Sequence, residues 1–270
     1  MVTKEIEQEV IKDYLSKTLF IKDICSKYNI SSYVFNSILK RNNIEKYDPH
    51  FLYPQNQQKF KINEEFFDKE SPELAYVLGF LAADGTVRKD KNEIKLTLAE
   101  QDKEILEKFY TKIGGRNIKV YEDSKGYKNA SWIFTSKRIK EKLAEYNIVP
   151  EKTFTFTFPK KLGKKYWVDF IRGYFDGDGS VSTAGPHAIK WQLCSATKEP
   201  LEVISKFFEE QYNIPRPSIL TEKRVNPLYI LSYSSTATRM IYDILYYKDC
   251  WKLERKYKKF TEIYDINLKK

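Results

Sequence analysis

Ile171-Arg172-Gly173-Tyr174-Phe175-Asp176-Gly177-Asp178-Gly179-Ser180 has an earlier counterpart, Val77-Leu78-Gly79-Phe80-Leu81-Ala82-Ala83-Asp84-Gly85-Thr86. Aligned on the closing Asp-Gly, the two share a glycine at the third place, a small residue before the Asp, and apolar residues at helical spacing. The two copies lie far enough apart for each to head a repeat of about ninety residues. Gly79 with Ala83, and Gly173 with Gly177, stand four residues apart, so one side of each expected helix is nearly bare. Two such sides let backbones approach closely. Gly85 and Gly179 suit helix ends, which puts Asp84 and Asp178 at C-termini where the helix dipole disfavours negative charge. Packing the helices together brings both carboxylates to one seam. Two hard oxygen ligands there suit Mg2+, which binds through a few carboxylates and keeps waters and phosphate oxygens. Asp176, Asp178 and Ser180 do not open an EF-hand loop, because Val181 stands where Gly is needed and His187 where Glu is needed. A plain helix stop without chemistry is the competing reading.

The pair resembles the double signature of the LAGLIDADG homing endonucleases in their single-chain form. The second copy matches closely, while the first departs at Ala82, where the family usually has an acidic residue. The resemblance covers residues 71–260. It implies an α+β fold of two pseudo-symmetric αββαββα repeats forming a DNA-binding saddle, with the signature helices at the pseudo-dyad. By the same resemblance Asp84 and Asp178 bind divalent metal, with the backbone carbonyls of Ala83 and Gly177 as further ligands. Mg2+ is the expected ion, Mn2+ a substitute, and Ca2+ an ion that binds without supporting cleavage. The implied reaction is site-specific hydrolysis of both DNA strands across the minor groove, leaving short 3′ overhangs. Family members place a lysine near the end of each repeat, which singles out Lys152, and Lys256 in preference to Arg255. Polar residues at the strand-to-helix corners, Glu100 or Gln101 and Ser195, would hold water or metal.

The whole chain agrees with an anionic partner: 270 residues carry a net charge of +10. An apolar fraction of 41% and a charged fraction of 31% are those of a soluble globular protein. No apolar run reaches membrane-span length and no signal-peptide core opens the chain, so no membrane partner is expected. The expected location is cytoplasmic, or organellar if organelle-encoded. Cys25, Cys194 and Cys250 are scattered and only two histidines are present, which argues against a disulfide framework, a zinc site or histidine-based chemistry.

Residues 1–45 read as a small all-α domain, with helices Lys4 to Leu15, Ile21 to Tyr28 and Tyr33 to Lys40. Ile24, Ile30, Val34, Ile38 and Leu39 are its expected core, and Ser31 or Ser32 the cap of the last helix. The pattern resembles a helix-turn-helix, which would present Tyr33, Asn36, Lys40 and Arg41 to DNA. A three-helix adaptor is the alternative. Residues 46–70 read as a linker, 71–159 as the first repeat, and 160–270 as the second with a basic tail. In each repeat the order is α-β-β-α-β-β-α, with Asp102 and Thr197 as caps of the middle helices. Thr153 to Phe158, alternating Thr and Phe, reads as an extended connector between the halves.

Antiparallel sheets covered by helices on one face leave the other to solvent or a ligand. Lys95, Arg116, Lys119, Lys190, Gln192, Lys223 and Arg224 lie on or near the strands, where they would meet base edges and phosphates. An ordinary solvated face remains the alternative for each. The expected partner is duplex DNA with a long asymmetric target, bound by a monomer, since one chain carries both halves. The competing functions are a non-cleaving DNA-binding regulator and an RNA-splicing maturase on the same scaffold.

Overall fold

The computed structural model describes residues 3–46, 60–183 and 189–268. It divides into two compact units, 1–60 and 61–270. Residues 47–59 of the expected linker and residues 184–188 lie outside the described residues.

The first unit is three helices, α1 (Lys4–Leu15), α2 (Ile21–Lys27) and α3 (Ser32–Arg41). Ser31 caps α3 by accepting a hydrogen bond from the Val34 N–H at 3.2 Å. The core holds Val10, Tyr14, Ile24, Cys25, Phe35, Ile38 and Leu39, while Ile30 and Val34 are only partly buried at its margin. Phe35 takes the place expected of Val34, packing edge-on against Tyr14 with ring centroids 5.3 Å apart. That shift of one residue leaves Tyr33, Asn36 and Lys40 together on the exposed side of α3. Arg41 instead turns back onto Glu7, its guanidinium nitrogens 2.9 and 3.3 Å from the carboxylate.

The second unit is built on α4 (Pro72–Asp84) and α7 (Trp167–Asp178), each heading one half. Ser71 caps α4 through the Leu74 N–H, and Pro72 occupies the first turn, where its missing donor costs nothing. After α4 come β1 (Gly85–Val87), β2 (Glu93–Ala99), α5 (Lys103–Ile113), β3 (Lys119–Glu122), β4 (Lys128–Thr135) and α6 (Lys137–Glu145). After α7 come β5 (Gly179–Thr183), β6 (Ile189–Ser195), α8 (Glu199–Tyr212), β7 (Leu220–Glu222), β8 (Leu228–Ser234) and α9 (Ser235–Leu245), with α10 (Glu254–Leu268) last. The two sheets are antiparallel with matching orders, β1-β2-β4-β3 and β5-β6-β8-β7. This is the mixed αββαββα architecture twice over.

Alternation decides which sheet face is buried. Ile94, Leu96, Ala130, Trp132 and Phe134 face the helices in the first half, and Trp191, Leu193, Leu231 and Tyr233 in the second. Trp191 stacks on Phe175 of α7 at 4.7 Å between ring centroids. One continuous core joins both halves through the α4–α7 seam.

Four local expectations give way to tertiary contacts. Residues 61–70 join the body instead of acting as linker: Ile62 bridges to Gly114, a 3-10 turn spans Glu64–Phe67, and Phe67 is buried. Asp102 precedes α5 but makes no capping bond, because Arg255 holds its carboxylate through two bonds of 2.9 Å. Thr197 does not cap α8, because the helix begins at Glu199 with Lys198 in the cap position; the Thr197 hydroxyl donates instead to the Phe156 carbonyl at 2.7 Å. The connector begins as a 3-10 turn at Lys152–Phe154; Phe156 and Phe158 are buried while Phe154 is exposed.

Behind the seam lies a buried polar network that closes the second half. Arg172 of α7 donates to the carbonyls of Trp251 at 2.6 Å and Leu245 at 2.8 Å, and pairs with Asp169 at 2.7 Å. Its guanidinium lies over the rings of Tyr76 and Tyr247. Asp176 accepts from Tyr76 Oη at 2.7 Å, Tyr246 Oη at 2.8 Å and the Leu253 N–H at 2.8 Å. Between them the two side chains fasten the α9–α10 connector to α7. Arg172→Met removes the donor from two carbonyls and the cation from Asp169. The expected cost is about 3–5 kcal/mol, read as a lower urea midpoint. An unchanged midpoint would show that the clasp contributes nothing to stability.

Candidate functional site

The seam is close because glycines stand where side chains would collide. A Cβ on Gly79 would lie 2.1 Å from the Phe170 carbonyl oxygen, and one on Gly173 would lie 2.1 Å from the Tyr76 oxygen. At the C-terminal end a Cβ on Gly177 would lie 2.3 Å from the Ala83 Cβ and 3.2 Å from Asp84 Oδ2. The crossing therefore delivers the ends of both helices, with Asp84 and Asp178, to one place.

Both Asp side chains reach solvent, while protein crowds them from behind. That desolvation raises the Asp84 carboxyl above its ordinary range, against the pull of Lys256 and Lys152. Asp178 is pushed up to about 6, by desolvation first and then by repulsion from Asp84. Neither carboxylate accepts a hydrogen bond from a described residue.

Lys152 and Lys256 arrive from the ends of the two halves. Lys152 sits on the 3-10 turn after Glu151, whose backbone is left-handed at φ 58°, and its Nζ donates to the Gly85 carbonyl at 2.5 Å. It also lines a cleft of about 400 Å³ between residues 85–90 and 149–153. Lys256, in the first turn of α10, donates to the carbonyls of Gly177 at 2.8 Å and Phe175 at 2.9 Å. Burial pulls both ammonium groups down against the attraction of Asp84 and Asp178, Lys256 to about 8. Arg255, its neighbour, points away to Asp102.

The chemistry of this donor set fits a cation that is completed by other ligands. Two acceptor-only carboxylates stand accessible, and the Gly177 carbonyl keeps one lone pair beyond its bond to Lys256. No group of three or more His, Cys, Asp or Glu among the described residues could hold a metal. A hard cation here would need oxygens from water and from a ligand such as a phosphate, the coordination habit of Mg2+.

The remaining sequence candidates separate into groups. Ser195 Oγ accepts from Tyr174 Oη at 3.1 Å, which ties it to α7, while Glu100 and Gln101 lie in a short 3-10 turn before α5. Lys95 and Lys119 share the helix-free face of the first sheet, where Lys95 Nζ stands 5.9 Å from the Tyr121 ring centroid. Lys190 and Gln192 share the corresponding face of the second. Arg116 precedes β3 rather than lying within it, and its N–H donates to the Ile133 carbonyl. Lys223 and Arg224 occupy the exposed β7–β8 turn, Arg224 paired with Glu222 at 2.6 Å. Sequence reasoning gave no role to Arg172, Asp169 or Asp176 as anchors. Their one visible signal was charge inside an otherwise apolar helix.

The carboxylate geometry makes a stability prediction. A carboxyl whose folded pKa lies above its unfolded value takes up protons on folding, so stability falls as pH rises from about 4 to about 6. Solvent screening at the accessible carboxylate reduces the ~3 kcal/mol implied by the full shift to about 1 kcal/mol. Metal-free Asp178→Asn should therefore melt above wild type at pH 8, and the two should converge at pH 4. A variant that melts lower at pH 8 would contradict the assigned desolvation and repulsion.

Residues 71–146 match the model of the family described as "LAGLIDADG-like domain". An uncharacterized protein of Methanocaldococcus jannaschii, MJ0314, is 24% identical over 180 residues, which are 64% of this chain and 65% of that protein. The chain thus spans just under two thirds of that relative's length. The N-terminal LAGLIDADG domain of DUF199/WhiA is similar at 19% identity and a TM-score of 0.44, over 69% of this chain and 90% of that one. The homing endonuclease I-WcaI, solved bound to its DNA recognition sequence, is similar at 13% identity and a TM-score of 0.45. That match covers 76% of this chain and 93% of that one.

Proposed function

The chain carries a LAGLIDADG-like domain at residues 71–146, and from that premise we propose that it is a divalent-metal-dependent, site-specific double-strand DNA endonuclease. One observation carries the reading: two accessible carboxylates, without a hydrogen-bond partner among the described residues, stand at the ends of two closely packed helices, with a lysine drawn toward them from each half. A protein that only bound DNA would weaken its grip by placing two negative charges beside phosphates.

In this reading Asp84 and Asp178 hold the cation, with the carbonyls of Ala83 and Gly177 as further ligands. When bound, Mg2+ supplies charge at the scissile phosphates and makes water easier to deprotonate. Lys152 and Lys256 hold a proton at Nζ and orient water, and their lowered affinity for that proton suits the task. The two open sheet faces bind the duplex, and Lys95, Lys119 and Lys190 meet its phosphates and base edges. The products are short 3′ overhangs. One chain holds both halves, so a monomer suffices. Among the described residues no helix is long and apolar enough to cross a membrane.

The test is selection of bound duplexes from a randomised pool in Ca2+, followed by transfer to Mg2+ and sequencing of the ends. Discrete double-strand ends at one long site are expected, with Mn2+ replacing Mg2+. A selected duplex that stays intact in both metals would make the protein a binder. Release of RNA splicing activity without DNA ends would make it a maturase.

Tyr33, Asn36 and Lys40 on α3 form an accessory DNA-contacting face in the same reading. Deleting residues 1–45 should weaken duplex affinity roughly tenfold or more, as for loss of several phosphate and base contacts, while cutting survives at high enzyme concentration. Unchanged affinity in the deletion would remove DNA binding from this unit.

A further inference from the structure

The two halves have the same strand order and register, so their open faces can be compared row by row across the strands. In the first sheet Thr97 stands opposite Ser131, which stands opposite Lys119. The equivalent row of the second sheet is Cys194, Ile230 and Leu220. The first row is hydroxyl, hydroxyl and ammonium, with Thr97 Oγ1 and Ser131 Oγ bonded at 2.7 Å. The second has no hydroxyl, amide or charge.

The apolar row faces away from the helices. Its neighbours along the strands, Trp191, Leu193, Leu231 and Tyr233, fill the core, so Cys194 and Ile230 project to the other side and stay half-accessible. Leu220 is 55% exposed. On one side Ser180, Gln192 and Ser232 form the adjoining row and Lys190 lies one row further. On the other, Leu228 extends the strip beside Glu222, whose carboxylate is paired with Arg224 at 2.6 Å, and Lys223 lies in the turn. With Glu222 offset by Arg224, an apolar strip bordered by the donors Ser180, Gln192 and Ser232 and by Lys190 and Lys223 fits a surface that is anionic at its edges and offers methyl groups between. The major groove of duplex DNA has that character wherever thymine displays its 5-methyl.

We propose that the two sheets read their halves of the target by different chemistry, the second through thymine 5-methyl groups packed on Cys194, Ile230 and Leu220. The first sheet reads by hydrogen bonds, with Lys119 and Lys95 as donors to guanine O6 and N7 and Thr97 able to serve either base class. This rests on the duplex-DNA reading above. The consequence is a target whose halves differ at the base pairs under this row: one specified there by donors and acceptors, the other by methyl groups.

Deoxyuridine tests this directly, because it keeps every hydrogen-bonding group of thymine and lacks only the methyl. Take a duplex selected from the randomised pool, replace thymine by deoxyuridine in one half at a time, and titrate the full chain in Ca2+. Substitution in one half should weaken binding about fourfold per contacted methyl, the cost of exposing one buried methyl-sized group. Substitution in the other half should leave affinity unchanged. The double variant Leu220→Ser/Ile230→Ser should bind the thymine and deoxyuridine duplexes equally while still preferring both to a scrambled duplex, a preference that only the folded protein keeps. Equal losses in both halves, no loss in either, or a loss that persists in the double variant overturns the inference and leaves the nuclease reading intact. A pool that yields no bound duplex overturns the nuclease reading itself.

Discussion

Asp84→Asn and Asp178→Asn should each abolish Mg2+-dependent cutting while leaving duplex binding intact or slightly stronger. Each substitution keeps the shape of the side chain and removes one of two negative charges available to a cation at the seam. The catalytic loss should reach about a thousandfold, because several kcal/mol of metal-derived charge stabilisation disappears with the ion. Binding moves the other way, since a negative charge is taken from beside the phosphate backbone. Cleavage rates on a selected duplex, set against affinities measured in Ca2+, separate the two effects. Equal losses of binding and cutting would mean that the carboxylates shape the surface and do no chemistry.

Side chains added at the seam should have the largest effect on folding. Gly79→Ala puts its new methyl 2.1 Å from the Phe170 carbonyl oxygen, and Gly173→Ala does the same against Tyr76. Neither obstacle is a flexible side chain; both are helix backbone. The helices must part by an ångström or more, and the core they join extends through both sheets. Overpacking ordinarily costs about 1–3 kcal/mol, and here the cost should exceed that range because there is no rotamer to yield. Gly79→Leu should leave residues 61–270 unfolded. The urea midpoint of Gly79→Ala measures it, and a midpoint equal to wild type would mean that the helices are not held at this spacing.

These effects explain why the seam was legible in the sequence. Glycine at four-residue spacing with a small partner leaves a bare helix side, and the pattern occurred twice at repeat distance. The order α-β-β-α-β-β-α expected of each repeat is the order found. Lys256 was singled out by the resemblance alone, and the structure sets its Nζ on the Gly177 and Phe175 carbonyls. The clasp made by Arg172 and Asp176 was not legible. A charged residue in a signature helix reads as surface until the chain that buries it, here residues 245–253, is known to return. Asp102 misled for the same reason: a cap is a local rule, and Arg255, far along the chain, offered a stronger charged partner. The Thr-Phe alternation at 153–158 looked extended because period two fits a strand. The chain instead needs a turn there to aim Lys152 at the Gly85 carbonyl.

Residues 61–70 show the limit of composition. Two phenylalanines in a polar stretch are too short a signal for periodicity, yet Phe67 is buried and the Glu70 carboxylate accepts from the Gly163 N–H at 3.2 Å. The contrast between the sheet faces lay beyond the sequence too. Thr97 and Cys194 become equivalent only once the registers Leu96↔Trp132 and Leu193↔Leu231 are known.

The central claim is that Asp84 and Asp178 together hold a catalytic cation against DNA. Mn2+ bound per protein, counted by electron paramagnetic resonance on the complex with a selected duplex, tests it most directly. The wild-type complex should hold ion that the double variant Asp84→Asn/Asp178→Asn loses, with both proteins still bound to DNA. Equal Mn2+ in the two complexes would place the metal elsewhere and contradict the account.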